Sequence, residues 1–270
     1  MKVDAGSYRR FIRGEKPPTT KFVIEFCKKF GDNLLLDAIY ASQKTFTARR
    51  LRVILPTILT PKLAYYTGYL YGDGYLTSDE KRVGFTDEDL EQIEYIKELT
   101  KEMFGWNGII RETHAAGQQK PCYEVCVTST VINYYFHRVF GMPRGVKKDL
   151  HFPALFLRSN ELKAAFIAGA FDSDGTLPKH PEKAVQLFID ITYKDQAFIE
   201  EIREALSTLG ISTLEPYCRR GKKPFSQEES IVWELRIRRK AEIRNFLEKI
   251  PIAHPNKKER AIRILSTMGP

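Results

Sequence analysis

The sequence predicts an α+β protein: two pseudo-symmetric αββαββα repeats behind a small, basic, helical N-terminal segment. Three observations predict it. One helical motif is written twice, 101 residues apart; the same order of hairpins and helices follows each copy; and the positive charge is concentrated ahead of the first copy. At 270 residues there is material for one large domain or two to three small ones, with enough chain to bury a core. We divide it into residues 1–60, 61–160 and 161–270.

Composition narrows the class. A hydrophobic share of 43% and a charged share of 29% are those of an ordinary soluble protein. No run approaches the roughly 20 apolar residues of a membrane span, and MKVDAGSYRR carries no apolar signal core. The expected setting is the cytoplasm, or an organellar matrix for an organelle-encoded chain, with no membrane partner. Four scattered cysteines make no disulfide framework. Cys122 and Cys126 share one face of a strand-like run without the further soft ligands zinc needs, so they read as structural thiols. Residues 1–60 hold six Lys and six Arg against five acids, so +7 of the net +9 lies there. Such a segment either solubilises the chain or meets a polyanion; nucleic acid is the favoured partner.

Taken in order, residues 1–60 read as mostly helical. SYRRFIRGEKPPTTKFVIEFCKKFG supplies a basic helix, a Gly-Glu-Lys-Pro-Pro turn and a helix capped by Thr19 or Thr20. Lys44–Arg52 reads as a basic linker, and Pro56 and Pro61 punctuate the entry to the core. The two copies then align as LAYYTGYLYGDGYL from Leu63 and AAFIAGAFDSDGTL from Ala164. A hairpin follows each, then an amphipathic helix stopped by Gly105 or Gly210. A second hairpin comes next, its last strand alternating (YEVCVTS; SIVWELRIRR), then another helix and a tail with Lys-Lys-acid (PRGVKKD; HPNKKE). The match extends over a whole ordered series, which chance does not supply.

Within the repeated helix, Ala64, Gly68 and Gly72 are spaced by four, as are Ala165, Gly169 and Ser173. Small residues at that spacing form a flat stripe on which two helix backbones can meet. Packing the two helices together brings Asp73 and Asp174 to the bottom of one seam, ahead of the glycines Gly74 and Gly175. A lone Asp before Gly commonly just caps a turn. Two at equivalent positions would repel unless a cation lay between them, and oxygen ligands favour Mg²⁺ or a similar hard ion. Two such ions flanking a phosphate could activate water and stabilise a leaving oxygen.

At GYLYGDG (68–74) and GAFDSDG (169–175), the chain resembles a LAGLIDADG homing endonuclease of the monomeric, double-motif type. The resemblance covers roughly residues 61–265. It implies a site-specific double-strand DNA endonuclease, intron-associated, using Mg²⁺ or Mn²⁺, with Ca²⁺ as a non-catalytic substitute. The metal-binding acids would be Asp73 and Asp174, with Gly72 and Ser173 in the same metal set. Tyr71 stands where the second copy has Asp172, so the two half-sites are not fully symmetric. A basic residue near each scissile phosphate would come from Lys147/Lys148 and Lys257/Lys258, offsetting developing charge or polarising water. The residues do not choose within each pair.

The resemblance also implies two antiparallel sheets forming a saddle on the major groove, which admits a β-ribbon. In SIVWELRIRR, Ile231, Trp233, Leu235 and Ile237 form the apolar set and Glu234, Arg236 and Arg238 the other. In VQLFIDIT, Val185, Leu187, Ile189 and Ile191 read as core, leaving Gln186, Asp190 and Thr192 exposed with Phe188. The loop CRRGKKP offers Arg219, Arg220, Lys222 and Lys223 to phosphates. The first repeat has Arg82, Thr86, Arg111, Thr113, Gln118, Gln119 and Lys120 in comparable places. These differ from the second set at nearly every position, so a long, largely asymmetric target is expected. The N-terminal segment resembles the later helices of a phage-repressor-type helix-turn-helix, with backbone contact by Arg9, Arg10 and Arg13.

Two rivals share the fold: a non-cleaving DNA-binding regulator and an RNA-intron maturase. Retention of Asp73 and Asp174 argues against a disabled core. A self-splicing protein intron needs a starting nucleophile and a closing His-Asn, where this sequence has Met1 and Gly269-Pro270. Five isolated histidines disfavour a His-metal nuclease.

Overall fold

The computed structural model describes residues 6, 9–10, 45–48, 51–56, 58–113, 121–222 and 229–268. In the basic segment Gly6, Arg9 and Arg10 are helical and both arginines exposed; Arg13 and most of the helix-turn-helix-like stretch lie outside the described residues. The Lys44–Arg52 linker is corrected. Strands β1 (Thr45–Ala48) and β2 (Leu51–Ile54) pair antiparallel with Thr45 opposite Ile54. TFTA and LRVI hold β-branched and aromatic residues suited to a strand, and the two residues between them are a hairpin loop's length.

The chain divides into two compact units, and this hairpin belongs to the first. The first holds most of the first repeat. Its sheet runs β3 (Gly74–Leu76), β4 (Arg82–Asp87), β6 (Cys122–Thr128), β5 (Ile109–Thr113) in spatial order. Helix α1 (Pro61–Gly72) precedes it in sequence but belongs to the second unit. Helix α2 (Leu90–Phe104) ends at Gly105, whose φ of 67° is the left-handed stop that glycine allows. Helix α3 (Thr130–Val139) is capped by Ser129, whose hydroxyl accepts from Ile132 N at 3.3 Å. Phe104, Tyr135, Phe136 and Phe140 pack edge-to-face between these helices, an arrangement that suits the ring quadrupole. Arg144 stacks over Tyr134 at 4.3 Å and donates to Asn133 and Glu80, each at 2.7 Å.

The second unit gathers α1, the first turn of α2, and residues 146–270. Thr60 caps α1, its hydroxyl accepting from Leu63 N at 3.2 Å, and Pro61 stands at the first position, a paired entry signal. Every residue from Leu63 to Tyr71 is buried. The same is true from Leu162 to Asp172 in α4 (Asn160–Asp174), with Lys163 and Asp172 among the buried residues. The sheet order is β7 (Gly175–Thr176), β8 (Ile189–Tyr193), β10 (Glu229–Ile237), β9 (Tyr217–Lys222). Asp195 caps α5 (Gln196–Thr208), which stops at Gly210 with φ 74°. Helix α6 (Lys240–Lys249) leads to α7 (Pro255–Thr267).

The tails therefore differ: HPNKKE opens a helix, whereas PRGVKKD is non-helical. Pro255 sits at the first position of α7, where its missing N–H costs nothing; Gly145 and Asp149 take positive φ in the first tail. No helix among the described residues is long and apolar enough to cross a membrane.

Candidate functional site

The site is built on the seam between α1 and α4. A Cβ placed on Gly68 would stand 2.0 Å from the Phe166 carbonyl oxygen, and one on Gly169 2.0 Å from that of Tyr65. The helices thus touch backbone to backbone at the central member of each small-residue stripe. A Cβ on Gly72 would meet Ser173 Oγ at 1.8 Å and Asp174 Oδ2 at 2.6 Å. The seam therefore stays tight to its end and brings the Asp174 carboxylate against the residue preceding Asp73.

At that end the two helices present their last carbonyl oxygens, the negative poles of their dipoles. One lysine from each tail reaches them. Lys147 Nζ donates to the Gly72 carbonyl. Lys257 Nζ donates to the carbonyls of Phe171, Asp172 and Ser173 at 2.8, 2.7 and 3.1 Å. Lys148 and Lys258 are exposed, so the structure separates the members of each pair. Burial pushes the Lys147 ammonium down to about 8, against the pull of Asp174 and Asp73. Burial likewise raises the Asp174 carboxyl, countered by Lys147 and Lys257. Both aspartates bear on Tyr193 too.

The donor set suits a hard divalent ion: two carboxylates and the carbonyls of Gly72 and Ser173, all oxygen, at a place that already draws two ammonium groups. Among the described residues no three His, Cys, Asp or Glu side chains cluster as a self-sufficient metal site.

Sequence reasoning missed two parts of this centre. Tyr193, inward-facing at the end of β8, donates to the Ala170 carbonyl at 3.1 Å beside Asp174; the alternation Ile189, Ile191, Tyr193 could have revealed it. Asp172 is buried to 1% exposure. Its Oδ2 accepts from Tyr65 OH at 2.8 Å, Ala253 N at 2.7 Å and His254 N at 2.8 Å. Burial raises its carboxyl against these donors.

The sheets sort the remaining residues. In the first, Thr86 and Arg111 flank Glu124 across the strands, Arg82 lies opposite Thr128, and Arg82 and Arg111 are exposed. Thr113 Oγ1 donates to the Cys122 carbonyl at 3.0 Å. Tyr75, which the sequence did not signal, donates to Glu124 at 2.6 Å. A Cβ on Gly84 would strike its ring at 2.3 Å, so that glycine lets Tyr75 lie across the strand. Gln118, Gln119, Lys120 and Lys223 lie outside the described residues.

The second sheet departs from the sequence pattern in several places. CRRGKKP is not wholly a loop: Arg219, Arg220 and Lys222 lie in β9, whose pairing with β10 supplies the backbone partners. Strand β8 starts only at Ile189, so Val185, expected in the core, is fully exposed, and Ile231 is 45% exposed. Asp190 and Glu234, expected to face outward, are buried. Their burial is made tolerable by arginine partners. Arg236 binds Asp190 through two bonds of 2.6 and 2.7 Å, and Arg219 Nε lies 2.6 Å from Glu234. Tyr217 donates to Glu234, and Arg236 stacks on Phe188 at 4.8 Å. Thr192 sits opposite Glu234. Gln186 and Arg238 are exposed and bonded to each other.

No curated protein matches the chain. Among solved structures, I-DmoI in complex with DNA and Ca is 19% identical, over 75% of this chain and 96% of that one, with a TM-score of 0.49. Mesophilic variants of the homing endonuclease I-DmoI are 19% identical over 70% and 94%, TM-score 0.48. Full-length DUF199/WhiA from Thermatoga maritima is 12% identical over 87% and 66%, TM-score 0.49. The LAGLIDADG-like domain family matches residues 60–139 and 161–251, each match opening on one of the abutting helices. The chain belongs to the LAGLIDADG-like domain family, carrying the domain in two copies.

Proposed function

We propose that this protein is a site-specific double-strand DNA endonuclease of the homing type, acting as a monomer with Mg²⁺ or Mn²⁺. The repeats at 61–160 and 161–270 would serve the two halves of a long, largely asymmetric target. The observation that carries this reading is the convergence of Asp73 and Asp174 at one helix seam, each beside a lysine held on the helix-end carbonyls.

Asp73 and Asp174, with the Gly72 and Ser173 carbonyls, would hold the ions. Divalent ions held there supply an activated water and neutralise charge on the leaving oxygen. Lys147 and Lys257, moving off the carbonyls, would pair with phosphate oxygens and offset their developing charge. Arg82, Arg111, Arg220 and Arg238 stand exposed on or beside the sheets for phosphate or base contact, and Arg9 and Arg10 would add backbone contacts.

The test is cleavage of a randomised duplex library with Mg²⁺, comparing the parent with Asp73→Asn and Asp174→Asn. The reading expects defined double-strand breaks from the parent and none from either variant. Specific binding without metal-dependent cutting would instead favour a non-cleaving regulator. Variants that cut as well as the parent would discard the assigned acids.

A further inference from the structure

We infer that Asp172 is a positioning residue for Lys257, and that it makes one half of the centre depend on an anchor the other half lacks. Asp172 ends the buried stretch of α4, and its carboxylate reaches both Tyr65 on α1 and the turn that starts α7. There the single oxygen Oδ2 gathers Ala253 N, His254 N and Tyr65 OH. Tyr65 accepts in turn from Gln92 Nε2 at 3.1 Å. Oδ1 is buried without a hydrogen-bond partner. A carboxylate accepting two adjacent backbone N–H groups fixes the peptide planes that carry them.

Lys257 is the third residue of α7, three positions beyond the second of those peptides. Its ammonium returns to the carbonyls of Phe171, Asp172 and Ser173. The loop thus closes on itself: Asp172 holds the start of α7, and α7 holds Lys257 over the end of α4.

The first half is arranged otherwise. Tyr71, at the matching position, has no carboxylate and packs against Phe166 and Phe198. The segment bearing Lys147 is tied instead by Leu150 N donating to Asp195 Oδ2 at 2.9 Å. Removing Asp172 therefore loosens Lys257 and leaves Lys147 in place.

This inference rests on the endonuclease reading, and its test separates the two. Cleavage of each strand of a labelled target is timed for the parent, Lys257→Met, Lys147→Met, Asp172→Ala and Asp172→Asn, with DNA affinity measured in Ca²⁺ as control. Asp172→Ala should slow the same strand as Lys257→Met, by about 10- to 100-fold for a displaced catalytic group, at unchanged affinity. Asp172→Asn, which keeps an acceptor, should restore most of that rate, and adding Asp172→Ala to Lys257→Met should slow it no further. Equal slowing of both strands, or slowing of the Lys147 strand, would overturn the inference.

A parent that binds but never cuts would overturn the endonuclease reading alone. Amide exchange then decides. At Ala253 and His254 it should quicken roughly tenfold or more in Asp172→Ala relative to β8 amides, as local opening predicts; unchanged exchange overturns the inference. Should Asp172→Ala fail to fold, Tyr65→Phe carries both measurements with the same strand and exchange signature at smaller amplitude.

Discussion

Near the end of α1, Tyr71 packs edge-on to Phe166 at 5.3 Å and lies 5.4 Å from Phe198. At the matching place on α4, Asp172 accepts from Tyr65, which accepts from Gln92. The two trios occupy corresponding positions of the repeats: the end of one seam helix, the facing point on the other, and the third residue of the next helix. One is a ring cluster; the other is a buried polar chain. An apolar cluster gains stability from packing and tolerates modest reshaping. In a buried polar chain the loss of any member leaves a desolvated group unsatisfied. The pseudo-symmetry thus lies in the backbone and the paired aspartates, while the layer behind them is divided between strength and direction.

The largest expected effects lie in the apolar trio. Tyr71→Asp removes a buried ring and places a carboxylate against Phe166 and Phe198; urea denaturation should show a loss of about 3–5 kcal/mol. A loss below about 1 kcal/mol would mean the two environments are interchangeable. Phe166→Ala should cost a similar or slightly smaller amount, about 3–5 kcal/mol. From the polar side, Asp172→Ala leaves two N–H groups and a hydroxyl unpaired and should cost about 1–3 kcal/mol by the same denaturation. Tyr65→Phe removes one link and should cost about 1 kcal/mol, with Gln92 left seeking a partner. The smallest effect separates the lysines. Lys257 serves three carbonyls and Lys147 one, so Lys257→Met should lower thermal stability more, by a few tenths to about 1 kcal/mol from the lost helix-end charge.

The seam was legible because it rests on local rules: small residues every four positions can be counted, and Gly68 and Gly169 meet carbonyls where that count placed them. The helix stops at Gly105 and Gly210 were legible for the same reason, since only glycine takes those φ values readily. What escaped notice depends on partners distant in sequence. Asp190 and Glu234 alternate like surface residues, yet arginines on neighbouring strands draw them into burial. Asp172 looked like a motif letter, and its partners lie 81 and 82 residues downstream. The pairs Lys147/Lys148 and Lys257/Lys258 could not be separated because adjacent residues carry the same chemistry; only the backbone's direction into the seam tells them apart.

On the proposed reading the two aspartates form one composite centre rather than two independent ones. Strand-resolved cleavage of a target duplex by Asp73→Asn and Asp174→Asn distinguishes the two arrangements. A composite centre predicts that either substitution slows both strands, by about 100-fold or more for loss of a charge-stabilising group. Each variant nicking one strand at the parental rate while sparing the other would contradict it.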